Sequence, residues 1–267
     1  MKTILFFDAD ERLRAFVRQN KIKGNRPVFF NAGINATPDA DLKQYRDVDI
    51  ISLFTHAEAV DNKKLTLFKN LKMLNTRSTG FNHIDLAYCK KRNIVVTNVP
   101  HYGETTVAEF AFGLLLALVR KIIAAKNDMA QNRVDMAQYM GFDLHGKTLG
   151  VIGTGSIGRH MIQIAQGFGM NIAAYDPYPT PALKGLYVQS LKALLERSDI
   201  ITLHVPSTPQ TRHMLDTKAF AAMKPGMIVI NTARGDLIDT QALRGAARWA
   251  RGWRGPGRVG KRGFSDE

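Results

Sequence analysis

At 267 residues and 45% hydrophobic content, the chain can bury one large or two ordinary domain cores. Its one cysteine, Cys89, excludes an internal disulfide, and its longest apolar run, Phe110 to Val119, falls far short of the ~20 residues that span a bilayer, so a cytoplasmic protein with no membrane partner is expected. The net charge of +14 is uneven: residues 244–267 hold seven Lys or Arg against two Asp or Glu, and the remaining excess reads as an ordinary solvated surface.

The first hundred residues alternate strand and helix. Thr3 to Phe7 reads as a strand, and Glu11 to Arg18 as a helix with Leu13, Phe16 and Val17 facing inward. Strands are predicted at Pro27 to Phe30, Asp49 to Phe54, Leu71 to Asn75 and Ile94 to Asn98, with helices at Asp41 to Tyr45, Lys63 to Lys69 and Ile84 to Lys91 between them. Such alternation predicts an open, parallel sheet with helices on both faces. Thr106 and Glu109 form an S/T-x-x-E capping box before an apolar run, so a long helix is expected from there to about Lys126. Being apolar nearly all round, it should be buried between domains or subunits.

The stretch Thr148 to Gly158, TLGVIGTGSIG, joins a buried-strand pattern to a helical one through Gly153, Gly155 and Gly158. Gly153 allows the tight turn, Gly155 lets a pyrophosphate approach the backbone, and Gly158 lets helix and strand pack closely. Ser156 and Ile157 open the helix, whose N–H groups favour phosphate. A plain strand-to-helix turn could use the same glycines. The next strand, Asn171 to Tyr175, argues for the dinucleotide reading, because it ends on Asp176, at the distance expected of an acid holding the adenosine ribose hydroxyls. That carboxylate repels a 2′-phosphate, so NAD is expected over NADP. A helix at Leu191 to Leu195, a strand at Asp199 to Val205, a helix at Thr217 to Met223, a strand at Met227 to Asn231 and a helix capped by Asp239 complete the pattern. The fold expected is α/β, with two doubly wound parallel-sheet domains and an active site in the cleft between them. The expected boundaries are a substrate domain at 1–100, an NAD-binding domain at 101–243 and a basic tail at 244–267.

Several ordered segments carry a family resemblance: Arg77 to Asp85 (RSTGFNHID), Asn98-Val99-Pro100, Thr106 to Glu109, the glycine loop with Asp176, His204-Val205-Pro206 with Pro209 and Thr211, and Asn231 to Gly235. Over residues 1–243 the chain resembles the D-isomer-specific 2-hydroxyacid dehydrogenases, in their D-lactate dehydrogenase-like branch. The resemblance implies a flavodoxin-like substrate domain and a Rossmann NAD domain. It also implies interconversion of a small D-2-hydroxy acid and its 2-keto acid, D-lactate and pyruvate first. Phosphoglycerate, formate and hydroxypyruvate members share most of these motifs. Arg234 matches the catalytic arginine, and it also counts among the cofactor contacts. Ser78, Thr79 and Gly80 match the loop whose N–H groups hold the substrate carboxylate, with Tyr102 bordering a small substrate. Thr106, Val205, Pro206, Thr211, Thr232 and Ala233 match cofactor-lining positions. The helix after Thr106 resembles a dimer-forming region, so a homodimer is expected. No metal is implied. His83 and His101 read as polar surface groups in loops, His145 as a loop residue and His204 as structural.

After Leu243 the resemblance stops. The family carries a glutamate and a catalytic histidine there, whereas this chain reads RGAARWARGWRGPGRVGKRGFSDE, with Asp266 and Glu267 its only carboxylates. A shift of reading frame near codon 243 is the first expectation for this stretch, a plain charged tail the second and a nucleic-acid-binding tail the third. Without the Glu–His pair, impaired turnover is expected. The alternative is a catalytically silent NAD-binding or regulatory protein.

Overall fold

In a computed structural model, residues 2–20, 24–54, 59–133 and 135–252 are described. Residues 253–267, most of the stretch read as a tail, lie outside them. The chain divides into two compact units, Met1–Tyr102 and Gly103–Glu267.

The first unit is built on a parallel sheet. Strands β1 (Lys2–Phe6), β2 (Asn25–Phe29), β3 (Ile50–Leu53), β4 (Met73–Thr76) and β5 (Val95–Thr97) lie in the order β2-β1-β3-β4-β5. Helices α1 (Glu11–Gln19), α2 (Asp39–Lys43), α3 (Asn62–Thr66) and α4 (Leu86–Lys91) connect them. The apolar run of β1 feeds both faces of the sheet, as strand alternation requires. Leu5 and Phe7 join the core of Leu42, Ile51, Leu65, Phe68, Leu74 and Cys89, while Ile4 and Phe6 pack with Val17 of α1. Pro27 sits in β2, at the sheet's edge, where its missing N–H breaks no inner ladder. Phe16 departs from the expectation: it is 64% exposed. Leu13 and Val17 pack against Ile4 and Phe6, whereas Phe16, three residues from Leu13, stays outside that cluster. The stem of Arg14 takes the third inward place, its guanidinium 5.1 Å from the Phe29 ring.

The second unit has β6 (Thr148–Ile152), β7 (Asn171–Tyr175), β8 (Ile200–Leu203) and β9 (Ile228–Asn231), all parallel, in the order β7-β6-β8-β9. One face packs against α5 (Glu104–Val119) and α7 (Ser156–Gly167), through Ala108, Phe112, Leu115, Met161 and Ile162. The other core holds Leu194 and Leu195 of α8 (Leu191–Arg197) and Ala219 of α9 (Thr217–Ala221). Between β6 and β8 the chain order reverses, which makes their C-terminal ends a topological switch point.

Helix α5 differs from its prediction in two ways. It starts at Glu104 with Gly103 as N-cap, so Thr106 lies inside the first turn and caps nothing. It ends at Val119. Lys121 takes a left-handed conformation (φ 52°) before α6 (Ile122–Met129) begins, so no single helix reaches Lys126. In the single chain Phe110, Leu114 and Leu118 are exposed. A last helix, α10, spans Thr240–Gly252, with Asp239 accepting from the N–H groups of Gln241 and Ala242. It therefore continues into the stretch read as a tail. Among the described residues no helix is long and apolar enough to cross a membrane.

Candidate functional site

Strand register sets the geometry of the second unit. Ile152 pairs with Tyr175 and with Leu203, and Leu203 with Asn231. The residue after each strand therefore falls in one row along the C-terminal edge: Asp176, Gly153, His204 and Thr232. Sequence reasoning named each of these segments, and the sheet brings them together.

The glycine loop is built as its motif predicts. Gly153 has φ +91°, and a Cβ there would meet the carbonyl oxygen of His204 at 2.6 Å. A Cβ on Gly158 would lie 2.0 Å from the carbonyl oxygen of Gly153, so helix and loop can be this close only without a side chain. Gly155 is the N-cap of α7, no side chain caps the helix there, and a Cβ would meet nothing within 4 Å. Ser156 and Ile157, half-buried, begin the helix. Open space over an uncapped helix start suits a pyrophosphate.

Asp176 is firmly held. Its Oδ2 accepts from the N–H of Thr154 at 2.7 Å and from the Thr154 hydroxyl at 3.0 Å, and its Oδ1 accepts from the N–H of Tyr178 at 2.9 Å. The Thr154 hydroxyl lies 2.8 Å from the Tyr187 hydroxyl, which accepts from the N–H of Thr180 at 2.9 Å. Sequence reasoning missed Thr154 and Tyr187. Thr154 stood inside the motif, but nothing local marks Tyr187, which a parallel bridge to Ala174 sets beside β7.

Beyond β8, Val205 is half-buried and Pro206 exposed. The Thr211 hydroxyl is engaged within its own loop, donating to the Pro206 carbonyl at 2.6 Å and accepting from the Thr208 N–H at 2.8 Å. Its visible work is to shape the loop. His204 is held by Thr202, 2.8 Å from its Nε2, and burial pushes its pKa down to about 4. It is thus neutral at neutral pH.

Past β9, Asn231 braces the turn, its Oδ1 accepting from the Ala233 N–H at 3.0 Å and its side-chain amide donating to the Arg234 carbonyl at 2.8 Å. Arg234 is exposed, and among the described residues it forms no ion pair. The Thr232 hydroxyl oxygen is buried without a hydrogen-bond partner in the described structure. A buried hydroxyl left so is costly, which marks a position where a ligand completes the bonding. With the space over Gly155, this orphaned atom shows that the edge fits a dinucleotide. Thr106 lies on α5, exposed, in the helix's first turn.

In the first unit, the loop after β4 carries Ser78, Thr79 and Gly80. Side chains hold it. The buried Ser78 hydroxyl lies 2.8 Å from that of Thr76 and donates to the Gly80 carbonyl at 2.7 Å. Asn98 donates to the Thr79 carbonyl at 2.8 Å, and the Thr79 hydroxyl to the Val99 carbonyl at 3.0 Å. Among the described residues, the N–H groups of Ser78, Thr79 and Gly80 donate to no other group, so the braced loop offers them to an anion. Arg77, which sequence reasoning passed over, anchors it, donating to the carbonyls of Phe7 at 2.6 Å and Ser52 at 3.1 Å. Burial lowers its pKa, against the raising influence of Asp8 and Asp10. His83 corrects the surface reading: it is buried, its Nε2 3.2 Å from the Thr76 hydroxyl. Its ring thus joins the buried hydroxyl pair of Thr76 and Ser78. Tyr102 is 62% exposed.

Comparison with known proteins adds the lineage. A protein-family model described as "D-isomer specific 2-hydroxyacid dehydrogenase, NAD binding domain" matches residues 112–251, reaching past Leu243. A 2-hydroxyacid dehydrogenase homolog of Zymomonas mobilis is 34% identical over 248 residues, covering 91% of this chain and 74% of the relative. The D-lactate dehydrogenase of Escherichia coli is 42% identical over 174 residues, 64% of this chain and 53% of that one. Among solved structures, D-lactate dehydrogenase from Aquifex aeolicus complexed with NAD and lactic acid superposes with a TM-score of 0.83 at 35% identity, covering 92% of this chain and 74% of that chain.

Proposed function

The chain belongs to the D-isomer specific 2-hydroxyacid dehydrogenase family, NAD-dependent oxidoreductases, and from that premise we propose that it interconverts a small D-2-hydroxy acid and its 2-keto acid, D-lactate and pyruvate first. The observation that carries the proposal is the row of Asp176, Gly153, His204 and Thr232 along one sheet edge, with Arg234 just beyond it. The similarity to two D-lactate dehydrogenases supports the small substrate. In this reading the first unit is the substrate domain and the second the NAD domain.

Each residue has work suited to its chemistry. The α7 N-terminus and the open space at Gly155 hold the pyrophosphate. Asp176 accepts from the adenosine ribose, the Thr232 hydroxyl gains its missing partner, and Val205 and Pro206 line the site. NAD supplies or takes the hydride. The N–H groups of Ser78 to Gly80 bind the substrate carboxylate. Arg234 carries a planar, permanently charged guanidinium that polarises the 2-keto oxygen as charge develops on it. The proton for the new alkoxide needs a further donor. His204 is neutral and tied to Thr202, and His83 is buried against Thr76. Residues 244–267 contain no histidine. We therefore propose that turnover in this chain is slow. The second reading, an NAD-binding protein that does not turn over, rests on neither His204 nor His83 being placed to give that proton.

The deciding measurement is NADH oxidation with pyruvate by the purified chain, beside an Arg234→Ala variant that still binds NADH. Turnover above the variant supports the dehydrogenase. Equal rates in the two leave the silent NAD binder. We also propose a homodimer through α5, whose Phe110, Leu114 and Leu118 are exposed in the single chain. Nucleic acid ranks last among partners.

A further inference from the structure

We infer that Tyr187 and Thr154 form a one-way hydrogen-bond relay that fixes the Asp176 carboxylate and so sets the preference for NAD over NADP. This inference rests on the reading of Asp176 as the ribose acceptor.

Counting protons gives the relay its direction. An ionised carboxylate can only accept, so the Thr154 hydroxyl, 3.0 Å from Oδ2 of Asp176, spends its single proton there. The contact of 2.8 Å between the Thr154 and Tyr187 hydroxyls must then be donated by Tyr187. Tyr187 in turn accepts from the N–H of Thr180. The order is Thr180 N–H, Tyr187 O–H, Thr154 O–H, Asp176 carboxylate. Every link points the same way and ends on a negative charge, the arrangement in which neighbouring hydrogen bonds strengthen one another. Thr154 is 3% exposed, so water does not readily replace either bond.

The consequence lies in the acceptor count. A carboxylate has about four lone-pair sites. Thr154 fills both on Oδ2 through its N–H and its hydroxyl, and the Tyr178 N–H takes one on Oδ1. One strong acceptor site remains, on Oδ1, for a ribose hydroxyl. Turning the carboxylate aside to admit a 2′-phosphate would break both Thr154 bonds. Tyr187 and Thr154 are thus positioning residues, and they make Asp176 a rigid excluder of extra negative charge.

Fluorescence titration of NADH and NADPH reads this directly, without turnover. Asp176→Ala is the reference: it should weaken NADH and bring NADPH closer to it. Thr154→Val should weaken NADH by about tenfold and Tyr187→Phe by about threefold, the scale of one hydrogen bond lost directly or at one remove. Both should narrow the NADH-to-NADPH ratio, and Thr154→Ser, which keeps the hydroxyl, should restore it. Melting curves identify any variant that fails to fold. If Tyr187→Phe does, the Thr154→Val and Thr154→Ser pair carries the test. The relay is overturned if Asp176→Ala shifts the ratio while Thr154→Val and Tyr187→Phe leave it unchanged. If Asp176→Ala shifts nothing, the ribose reading itself fails and the relay falls with it.

Discussion

Arg234 stands at a strand end, braced through its own backbone by Asn231, with its guanidinium exposed. Because its proposed role is in the transition state, Arg234→Lys should lower the NADH-dependent rate by about a hundredfold while changing NADH affinity little, since an ammonium lacks the planar fork. Equal loss of NADH binding would move the residue's role to the cofactor. Gly158 is constrained differently. With the Gly153 carbonyl 2.0 Å from any Cβ, Gly158→Ala must push α7 off β6 and should lower both melting temperature and NADH affinity. His204 bears on pH. Its folded pKa of about 4 lies below the ordinary 6.5, so the unfolded chain binds the extra proton. Its contribution is complete above pH 6.5 and is lost as pH falls towards 4, by up to about 3 kcal/mol. In denaturant titrations at pH 7 and pH 4.5, His204→Gln should lose less stability than the parent chain. An identical loss in both would refute the assignment. Of these residues, Arg234 and Gly158 were legible in the sequence as parts of ordered motifs. The neutrality of His204 was not, because it depends on what surrounds the ring.

At the scale of elements, the strands were read well and the helix ends less well. Strands such as β8 are buried throughout and mostly apolar because both faces of a parallel sheet are covered, and that pattern survives in any context. Helix α5 misled because a capping-box sequence at Thr106 and Glu109 lay two residues inside a helix that Gly103 had already opened. Its apolar composition fits one face that shares a core with Leu149 and Val151 and another bearing Phe110, Leu114 and Leu118. If that second face joins two copies, Leu118→Glu should convert a dimer to a monomer in sedimentation. A chain that sediments as a monomer before mutation rejects the idea.

For the whole molecule, each unit has its own buried cores, those of the first around Phe68 and Val17 and those of the second around Leu149 and Leu203. Separate cores predict separate cooperative transitions. Calorimetry should resolve two, and NADH at about a hundred times its Kd should stabilise the one belonging to Gly103–Glu267 by about 2.7 kcal/mol. One transition that moves as a whole would show that the units unfold together. The net charge of +14 did not determine the reading of function, which came from residues fixed at strand ends.

The sequence by itself determined the alternation of strands and helices, the glycine loop with its acid, and the place of Arg234 just past a strand. All of these are written within a few residues by periodicity, turn chemistry and missing side chains. Only the tertiary structure decided that Phe16 faces out, that His83 is buried against Thr76, and that Tyr187 reaches Thr154 across 33 positions of chain. Those contacts depend on which strands lie side by side and on what each helix packs against, and sheet order is not encoded in any local stretch.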